Sequence, residues 1–360
     1  MAPSTFHETV DNMHDQPEPS DPDMIASAAR GEEILGLDIF GQTQDKLEDF
    51  PLTRVEQLMS AMNNDVPTAG QDISYGDKDS QHLRFWKAKS PRAPIVIFVH
   101  GGSWQIGTYL DSIGSAKVTH LLDQGYAFAT VNFSLVPSVT VEAQVQEVAH
   151  ALGYLNRNAI ELSIDPRNLV LMGHSSGAHV AALLGTDASY LAAAGVDISS
   201  VRGVIAVDGS NYNAMADFTD SPGPVADNLA AALGREPSRL RSMSPTYHAR
   251  GANAGAFLLL HAQRQGGIRQ AVEFAAALEA SGTDVDLHVF EGRSFEGHIQ
   301  MLLRLGEVGF PATGTLDGWL GKHVPVSLEL IWRTYDVKVV GDSHAALVGF
   351  SCLFPSLALD

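Results

Sequence analysis

A serine flanked by two glycines directly follows an apolar run of the chain. The motif Gly173-His-Ser-Ser-Gly177 follows Leu169–Met172 and precedes an alanine-rich stretch typical of a helix. A catalytic serine needs this setting, because a tight turn between strand and helix exposes its hydroxyl and the glycines relieve crowding. The following helix directs free N–H groups and its positive end at the same point. We therefore take Ser175 as the candidate nucleophile.

A second glycine-rich segment could stabilise the negative charge that nucleophilic attack creates. His100-Gly-Gly-Ser-Trp104 follows the apolar run Ile95–Val99, and its two glycines allow backbone N–H groups to turn into a site. We expect the amides of Gly102, Ser103 and Ser176 to form the oxyanion hole. We expect His100 and Trp104 to brace this loop rather than to take part in chemistry.

Buried strands that alternate with helices must position these motifs. Short, wholly apolar runs indicate strands covered on both faces, and helical patterns lie between them. This alternation predicts an α/β fold with a mostly parallel central sheet flanked by helices. Sites in such sheets form at the carboxyl ends of the strands, where both motifs lie. The predicted strands are Leu83–Trp86, Ile95–Val99, Ala127–Val131, Leu169–Met172, Val204–Val207, Phe257–Leu260 and Val285–Phe290. The predicted helices are Ala116–Gln124, Val141–Asn156, Gly177–Leu184 and Gln270–Glu279.

The two motifs together resemble those of a known group of hydrolases. His-Gly-Gly-Ser-Trp followed by Gly-His-Ser-Ser-Gly-Ala-His is similar to kynurenine formamidases, small carboxylesterases and relatives of hormone-sensitive lipase. Ile164–Leu169 and Phe257–His261 extend the likeness, which covers roughly residues 70–320. The resemblance implies an α/β-hydrolase fold, no cofactor or metal, and hydrolysis of an ester or amide.

The order of a hydrolase triad on this fold is serine, acid, histidine, which selects one of the 14 histidines. His298 follows the last predicted strand in a glycine-rich stretch that we interpret as a loop. We expect it to take the proton of Ser175 and return it to the leaving group. His179, on a predicted helix, and His288, on a predicted strand, fit packing roles instead.

The acid departs from the pattern of the resembling family. The family's acid lies in the loop after the strand that ends here at His261, but this loop contains no Asp or Glu, and Gln265 or Gly266 occupies its place. Asp208, at the end of the preceding strand, is our choice for holding the histidine. Glu291 and Glu296 remain alternatives, as does a dyad without any acid.

These residues leave several functions open. The first is hydrolysis of a carboxylic ester of a small or medium apolar substrate through an acyl-enzyme. The second is an amidase of the arylformamidase kind, and the third a hydrolase of a specialised metabolite. A ligand-binding protein that has lost catalysis is the non-enzyme alternative, and the missing acid is its support.

Composition limits the partners. The formal net charge is −19, and residues 1–50 carry 12 acidic and 2 basic residues. An acidic surface repels nucleic acids and anionic lipids, so we expect a small-molecule substrate and no nucleic-acid partner. A single cysteine, Cys352, allows no intrachain disulfide. Without a visible secretory signal or a membrane span, we expect a cytoplasmic protein, and a homodimer is possible.

The chain divides into three parts by composition. Residues 1–30 are rich in Pro, Asp, Glu and Ser, which predicts a disordered acidic arm. Residues 31–320 form the hydrolase domain, with a helix predicted over Leu47–Met62 and a small cap over 210–244. Residues 321–360 form a C-terminal extension of unknown role, with a possible strand at Ile331–Val340.

Overall fold

The computed structural model describes residues 69–110 and 113–326. The predicted acidic arm at 1–30, the helix at Leu47–Met62 and the strand at Ile331–Val340 lie outside the described residues. No described helix is both long and apolar enough to cross a membrane.

One sheet of eight strands organises the described chain, and its strands run in the order β1-β2-β4-β3-β5-β6-β7-β8. The strands β3 to β8 pair in parallel, whereas β1 and β2 join the sheet in antiparallel pairs. This arrangement confirms the predicted α/β-hydrolase fold with a mostly parallel sheet. The strands are β1 (Gln71–Ser74), β2 (His82–Trp86), β3 (Ala93–Val99), β4 (Ala127–Val131), β5 (Ile164–His174), β6 (Val201–Val207), β7 (Ala256–Gln263) and β8 (Asp284–Arg293).

Helices cover both faces of the sheet, because parallel neighbours need a crossover between them. From β3 to β6 they are α1 (Ala116–Asp123), α2 (Val141–Arg157), α3 (Ala159–Leu162), α4 (Ser176–Thr186) and α5 (Ala188–Ala193). From β6 to β7 they are α6 (Ala214–Asp220), α7 (Pro224–Leu233), α8 (Pro237–Ser242) and α9 (Pro245–His248). The remaining helices are α10 (Gln265–Ala280), α11 (Ser294–Arg304) and α12 (Pro311–His323).

The side chains of β3 show how the core divides into two layers. Successive residues of a strand face opposite sides of a sheet. Ile95, Ile97 and Val99 belong to one buried cluster, which includes residues of α2, α4 and α10. Val96 and Phe98 belong to the other, which includes residues of α1, α11 and α12. All seven residues of β3 are buried, as its apolar run predicts.

The predicted cap at 210–244 forms the helices α6, α7 and α8 between β6 and β7. Its first helix begins at Ala214. Asn213 contacts α10 through Gln270 and Glu273. Arg239 forms an ion pair with Glu142 of α2 at 2.7 Å. The segment is therefore tied to two helices of the domain.

The domain continues beyond the boundary predicted at residue 320. α12 extends to His323, and Val324 after it is buried in the same cluster as Leu316 and Trp319. The apolar face of this helix covers one side of the sheet, so its last residues belong to the domain.

Candidate active site

Ser175 occupies a strained turn between β5 and α4. Its backbone has φ 56° and ψ −124°, a conformation that residues with a Cβ rarely adopt. Such backbone strain costs roughly 1–3 kcal/mol and needs support from the surroundings. The Ser175 amide donates a hydrogen bond to Val207 O at 3.1 Å, which ties the turn to the end of β6. Ser175 is partly exposed, whereas His174 and Ser176 on either side of it are buried.

The glycines of the serine motif are required by close backbone approaches. A Cβ at Gly173 would overlap the carbonyl of Gly177. A Cβ at Gly177 would overlap the carbonyl of Val99 and lie 2.5 Å from that of His100. The motif thus brings the start of α4 directly against the end of β3, which leads into the second glycine-rich loop.

That second loop has positive φ at three successive residues: Gly102 at 121°, Ser103 at 52° and Trp104 at 62°. Two hydrogen bonds tie this loop to the helices α4 and α2. The Trp104 amide donates to Ser176 Oγ at 3.3 Å, and Gln144 Nε2 of α2 donates to Trp104 O at 2.7 Å. The loop therefore lies beside the first residue of α4.

The backbone amides of this region form a set of donors. Within the described residues, the N–H groups of Gly102 and Ser103 make no hydrogen bond to a backbone carbonyl. Ser176 is the first residue of α4, where a helix has no internal acceptor for its N–H groups. Such amides can stabilise an oxyanion.

His100 and Trp104 make packing contacts that brace the loop. His100 stacks on Phe133 with ring centroids 4.3 Å apart, and its Nδ1 lies 2.8 Å from Gly101 O. Trp104 is buried and meets the ring of His179 edge-on at 5.3 Å. His179 itself is buried, with Nε2 2.7 Å from Met243 O.

His298 lies in a helix, not in the loop that the glycine-rich sequence suggests. It is the fifth residue of α11, which begins at Ser294 directly after β8. Its Nδ1 donates to Asp208 Oδ2 at 2.5 Å. His174, the residue before Ser175, donates from Nε2 to His298 O at 3.0 Å, and the two rings are 4.3 Å apart. The helix of the histidine is thereby held beside the serine turn.

Asp208 follows β6 directly and has φ 44°. Its carboxylate is fully buried. Oδ1 accepts a hydrogen bond from the Ala262 amide at 3.0 Å. Oδ2 accepts from Arg264 Nε at 2.7 Å as well as from His298. Among the candidate acids, Asp208 is the one that the fold brings to His298.

The other acid positions point elsewhere. Glu296 accepts a hydrogen bond from Gln300 on its own helix, and Glu291 is exposed. At Gly266, in the place of the family's acid, a Cβ would lie 2.6 Å from Asp220 O. Gly266 lies in the first turn of α10, and a side chain introduced there would crowd the end of α6.

Charge and burial set the protonation of the Asp208–His298 pair. Burial would raise the pKa of Asp208, but the charge of Arg264, the neighbouring ring of His261 and the hydrogen bond from His298 hold it well below its usual range. His261 Nδ1 is 3.2 Å from Oδ1 of Asp208 but is poorly aligned for a hydrogen bond. Burial, followed by the charge of Arg264, lowers the pKa of His298. The pair is therefore an ionised acid beside a neutral base at neutral pH.

The structure brings Asp208 and His298 into contact, and His174, the residue before Ser175, contacts the helix of His298. Ser175 Oγ makes no hydrogen bond to a described residue, and such contacts are commonly looser without a substrate. Sequence reasoning missed two supporting residues, Arg264 and His174. Arg264 lies in the segment after β7 that lacks the family's acid, and His174 lies inside the serine motif. The position of each residue in the sequence could therefore have identified it as a candidate.

The described residues contain no group of three or more His, Cys, Asp or Glu side chains suited to hold a metal ion.

Comparison with protein families places this site in context. The family model described as BD-FAE matches residues 84–278, which include the serine turn, both glycine-rich segments and Asp208. The kynurenine formamidase of Danio rerio is 26% identical over 260 residues, covering 70% of this chain and 82% of that protein. Esterase LipC of Mycobacterium tuberculosis is 28% identical over 205 residues, covering 53% of this chain and 50% of LipC. The match thus spans about half of LipC.

A solved structure supports the fold. Esterase B from Lactobacillus rhamnosis (HN001) superposes with a TM-score of 0.61 at 19% sequence identity. The superposition covers 81% of this chain and 94% of that esterase.

Proposed function

The chain belongs to the BD-FAE family and is a hydrolase of the α/β-hydrolase fold, and we propose that it cleaves a carboxylic ester through an acyl-enzyme on Ser175. The observation that carries this proposal is the contact between His298 Nδ1 and Asp208 Oδ2 at 2.5 Å, beside the strained turn of Ser175. The contact orients the imidazole of His298, and burial favours its neutral form, which is the form that a base for a serine nucleophile needs.

The chemistry proceeds in two halves. His298 Nε2 takes the proton of Ser175 as Oγ attacks the carbonyl carbon of the substrate. The resulting oxyanion accepts hydrogen bonds from the amides of Gly102, Ser103 and Ser176. His298 then gives its proton to the leaving alcohol, and the acyl group remains on Ser175. A water molecule, deprotonated by the same imidazole, then attacks the acyl carbon. The bond between that carbon and Ser175 Oγ breaks, the acid is released, and His298 returns the proton to Oγ.

Asp208 acts through the histidine. It accepts the Nδ1 proton of His298, which selects the tautomer whose Nε2 is free to act as a base. It also stabilises the imidazolium that forms during the reaction. Because the carboxylate is fully buried, this interaction is little screened by water. The contact speaks against a ligand-binding protein without catalysis, whose support was the missing acid.

The substrate class follows from the resemblance and the composition. We propose a small or medium, apolar acyl or alcohol group, with α6, α7 and α8 forming a cap that shapes the pocket. Hydrolysis of an aryl formamide is the second candidate. It is favoured by the kynurenine formamidase of Danio rerio, whose likeness covers 82% of that protein. Both reactions use the same nucleophile and oxyanion donors.

Covalent labelling tests the proposal. A fluorophosphonate probe should label the full chain on the peptide that contains Ser175, and Ser175→Ala should abolish labelling. Ser189→Ala is the matched control, because it removes an exposed serine hydroxyl at the start of α5. Labelling that persists in Ser175→Ala would contradict the proposal.

A substrate panel then separates the two candidates. It comprises p-nitrophenyl esters of short and long acids, aryl formamides and lactones. The ester proposal expects the highest kcat/KM with a short or medium ester, and the formamidase alternative expects it with a formamide.

A further inference from the structure

Arg264 contacts Asp208 at two points. Its Nε donates to the carboxylate oxygen Oδ2 at 2.7 Å, and its Nη2 donates to the main-chain oxygen of the same residue at 2.9 Å. A guanidinium is planar and presents its N–H groups in a rigid fork. The two contacts therefore fix the carboxylate of Asp208 relative to its own backbone.

The carboxylate of Asp208 has little freedom left. The Ala262 amide occupies Oδ1 at 3.0 Å, while Arg264 and His298 share Oδ2. A carboxylate oxygen accepts about two hydrogen bonds, so both sites of Oδ2 are filled. Rotation of the group would break the contacts with Ala262 and Arg264 together. The orientation that remains is the one that faces His298.

The position of Arg264 in the chain suggests why it contacts Asp208. Arg264 directly follows β7 and precedes α10, in the loop where the resembling family has its acid. In this chain the acid has moved to the end of β6. We propose that Arg264 is a positioning residue that compensates for this displacement by holding Asp208 towards His298. The inference rests on the proposed function, since it assigns a role within that triad.

Charge gives the same residue a second effect. The groups that face His298 are Asp208 after β6, Arg264 and His261 from the region of β7, and His174 from β5. Only Arg264 among them carries a permanent positive charge. After burial, this charge is the largest cause that lowers the pKa of His298. It therefore keeps the base neutral to lower pH, while it keeps the acid ionised.

Two substitutions separate geometry from charge. Arg264→Gln removes both the planar guanidinium and its positive charge. Arg264→Lys keeps the positive charge but replaces the planar guanidinium with an ammonium group on a flexible stem. The matched control is Arg269→Gln in α10, the helix that follows Arg264, which removes a similar pair of contacts with Asp220 instead of Asp208. All are made in the full chain, and the concentration of active sites is determined with the fluorophosphonate.

We expect Arg264→Gln to lower kcat per active site by about a hundredfold, because a misplaced catalytic group can cost this much. Its KM should change little. The acid limb of kcat/KM against pH reports the base of the free enzyme, and it should shift to higher pH. Arg264→Lys should lower kcat but keep the acid limb close to that of the unsubstituted protein. Arg269→Gln should change neither.

A merely structural role for Arg264 has a different signature. In that case Arg264→Gln would lower the melting temperature but leave kcat per active site and the acid limb unchanged, and the proposal would be overturned. If Arg264→Gln does not fold, Arg264→Lys decides the matter. Unchanged kcat in that folded variant overturns the proposal.

An NMR titration separates this inference from the proposed function, because it needs no turnover. The imidazole of His298 is assigned by comparison with His298→Gln, and its pKa is measured in the resting protein. A higher pKa in Arg264→Gln supports the inference even if no ester or formamide is hydrolysed. An unchanged pKa in Arg264→Gln, together with turnover that Ser175→Ala abolishes, overturns the inference and leaves the function standing.

Discussion

The proposed nucleophile and the proposed base are held by two different kinds of structure. Ser175 and the amides proposed for the oxyanion hole lie in short turns after β5 and β3 and at the start of α4, with positive φ at Ser175, Gly102 and Ser103 and close contacts at Gly173 and Gly177. His298 instead depends on side chains from separate elements, with Asp208 and Arg264 at its ring. We call the first group the nucleophile side and the second the base side. Substitutions that add volume should disturb the nucleophile side, and substitutions that change charge should disturb the base side.

This difference follows from what each side must do. The nucleophile side must place amides and a hydroxyl within a few tenths of an ångström, which strained backbone accomplishes without buried charge. The base side must carry a proton during each turnover, so it needs an ionised acid in a place that water does not reach. Burying an unpaired carboxylate is costly, and Arg264 offsets this cost for Asp208. Substitutions on the two sides should therefore fail in different ways.

The largest effect should come from Ser175→Ala. Loss of the nucleophile should reduce kcat for an activated ester by about a millionfold. The melting temperature should fall little, because alanine keeps the same backbone with only a hydroxyl removed. Steady-state kinetics and thermal unfolding measure both. Turnover close to that of the unsubstituted protein would contradict the role of Ser175.

The next largest effect should come from Asp208→Asn. The amide keeps the shape but presents a donor where His298 needs an acceptor, so we expect kcat to fall roughly a thousandfold or more. KM should change less, because the charge that Asp208 stabilises appears in the transition state. Parallel measurement of Glu291→Gln and Glu296→Gln provides the control, and both should cost far less. An equal loss in all three variants would reject Asp208 as the acid.

A smaller effect should come from Gly102→Ala on the nucleophile side. Gly102 has φ 121°, and a Cβ there would overlap the carbonyl of Ile106, so the oxyanion loop must shift. Displacing an oxyanion donor lowers kcat by about a hundredfold or more. Gly314→Ala in α12 is the matched control, because its Cβ would meet no described atom. That variant should keep full kcat, and a similar loss there would show that the effect is not local to the loop.

The smallest effect concerns Lys117, a buried charge without an acidic partner among the described residues. Its Nζ donates to the carbonyls of Ile113, Gly114 and Leu302, and the last contact, at 2.5 Å, anchors the helix that carries His298. Burial lowers the pKa of Lys117 to about 7 from 10.5. Between these values the unfolded chain binds more protons than the folded chain, so stability rises with pH.

Lys117→Met removes this dependence. From pH 7 to pH 9, the free energy of unfolding should rise by about 2 kcal/mol more in the unsubstituted protein than in Lys117→Met. Urea unfolding at the two pH values measures the difference. Parallel pH dependence in the two proteins would show that Lys117 does not titrate in this window. Asp208 behaves in the opposite way, because its partners lower its pKa in the folded protein. Its contribution to the free energy of unfolding is lost as the pH falls through that lowered pKa.

Much of the fold could be predicted from local patterns. Apolar runs located β3 to β7, because a strand buried on both faces must be apolar throughout, as in β3. The segment that predicted β8, Val285–Phe290, is not such a run, since it contains Asp286 and His288 and none of its residues is buried. β1 was missed because Gln71–Ser74 lies at the sheet edge, where only Ile73 is buried. The start of α10 was missed as well, since Gly266 and Gly267 disfavour a helix by propensity.

The sequence by itself determined the residues that we propose for the nucleophile side of the site. Ser175, Gly102, Ser103 and Ser176 can be predicted because the proposed function needs a turn that neighbouring residues create. Residue types and short spacing contain that information. The choice of Asp208 over Glu291 also came from position along the predicted strands.

Only the tertiary structure decided how the base side is assembled. His298 lies on a helix, and its Nδ1 is 2.5 Å from Asp208 Oδ2. Arg264 donates hydrogen bonds to Oδ2 and to the main-chain oxygen of Asp208. Asp208 and His298 are 90 residues apart in the chain, so their contact depends on the order of strands in the sheet. The balance of burial against charge that sets their pKa values depends on that same packing, and no local pattern of residues contains it.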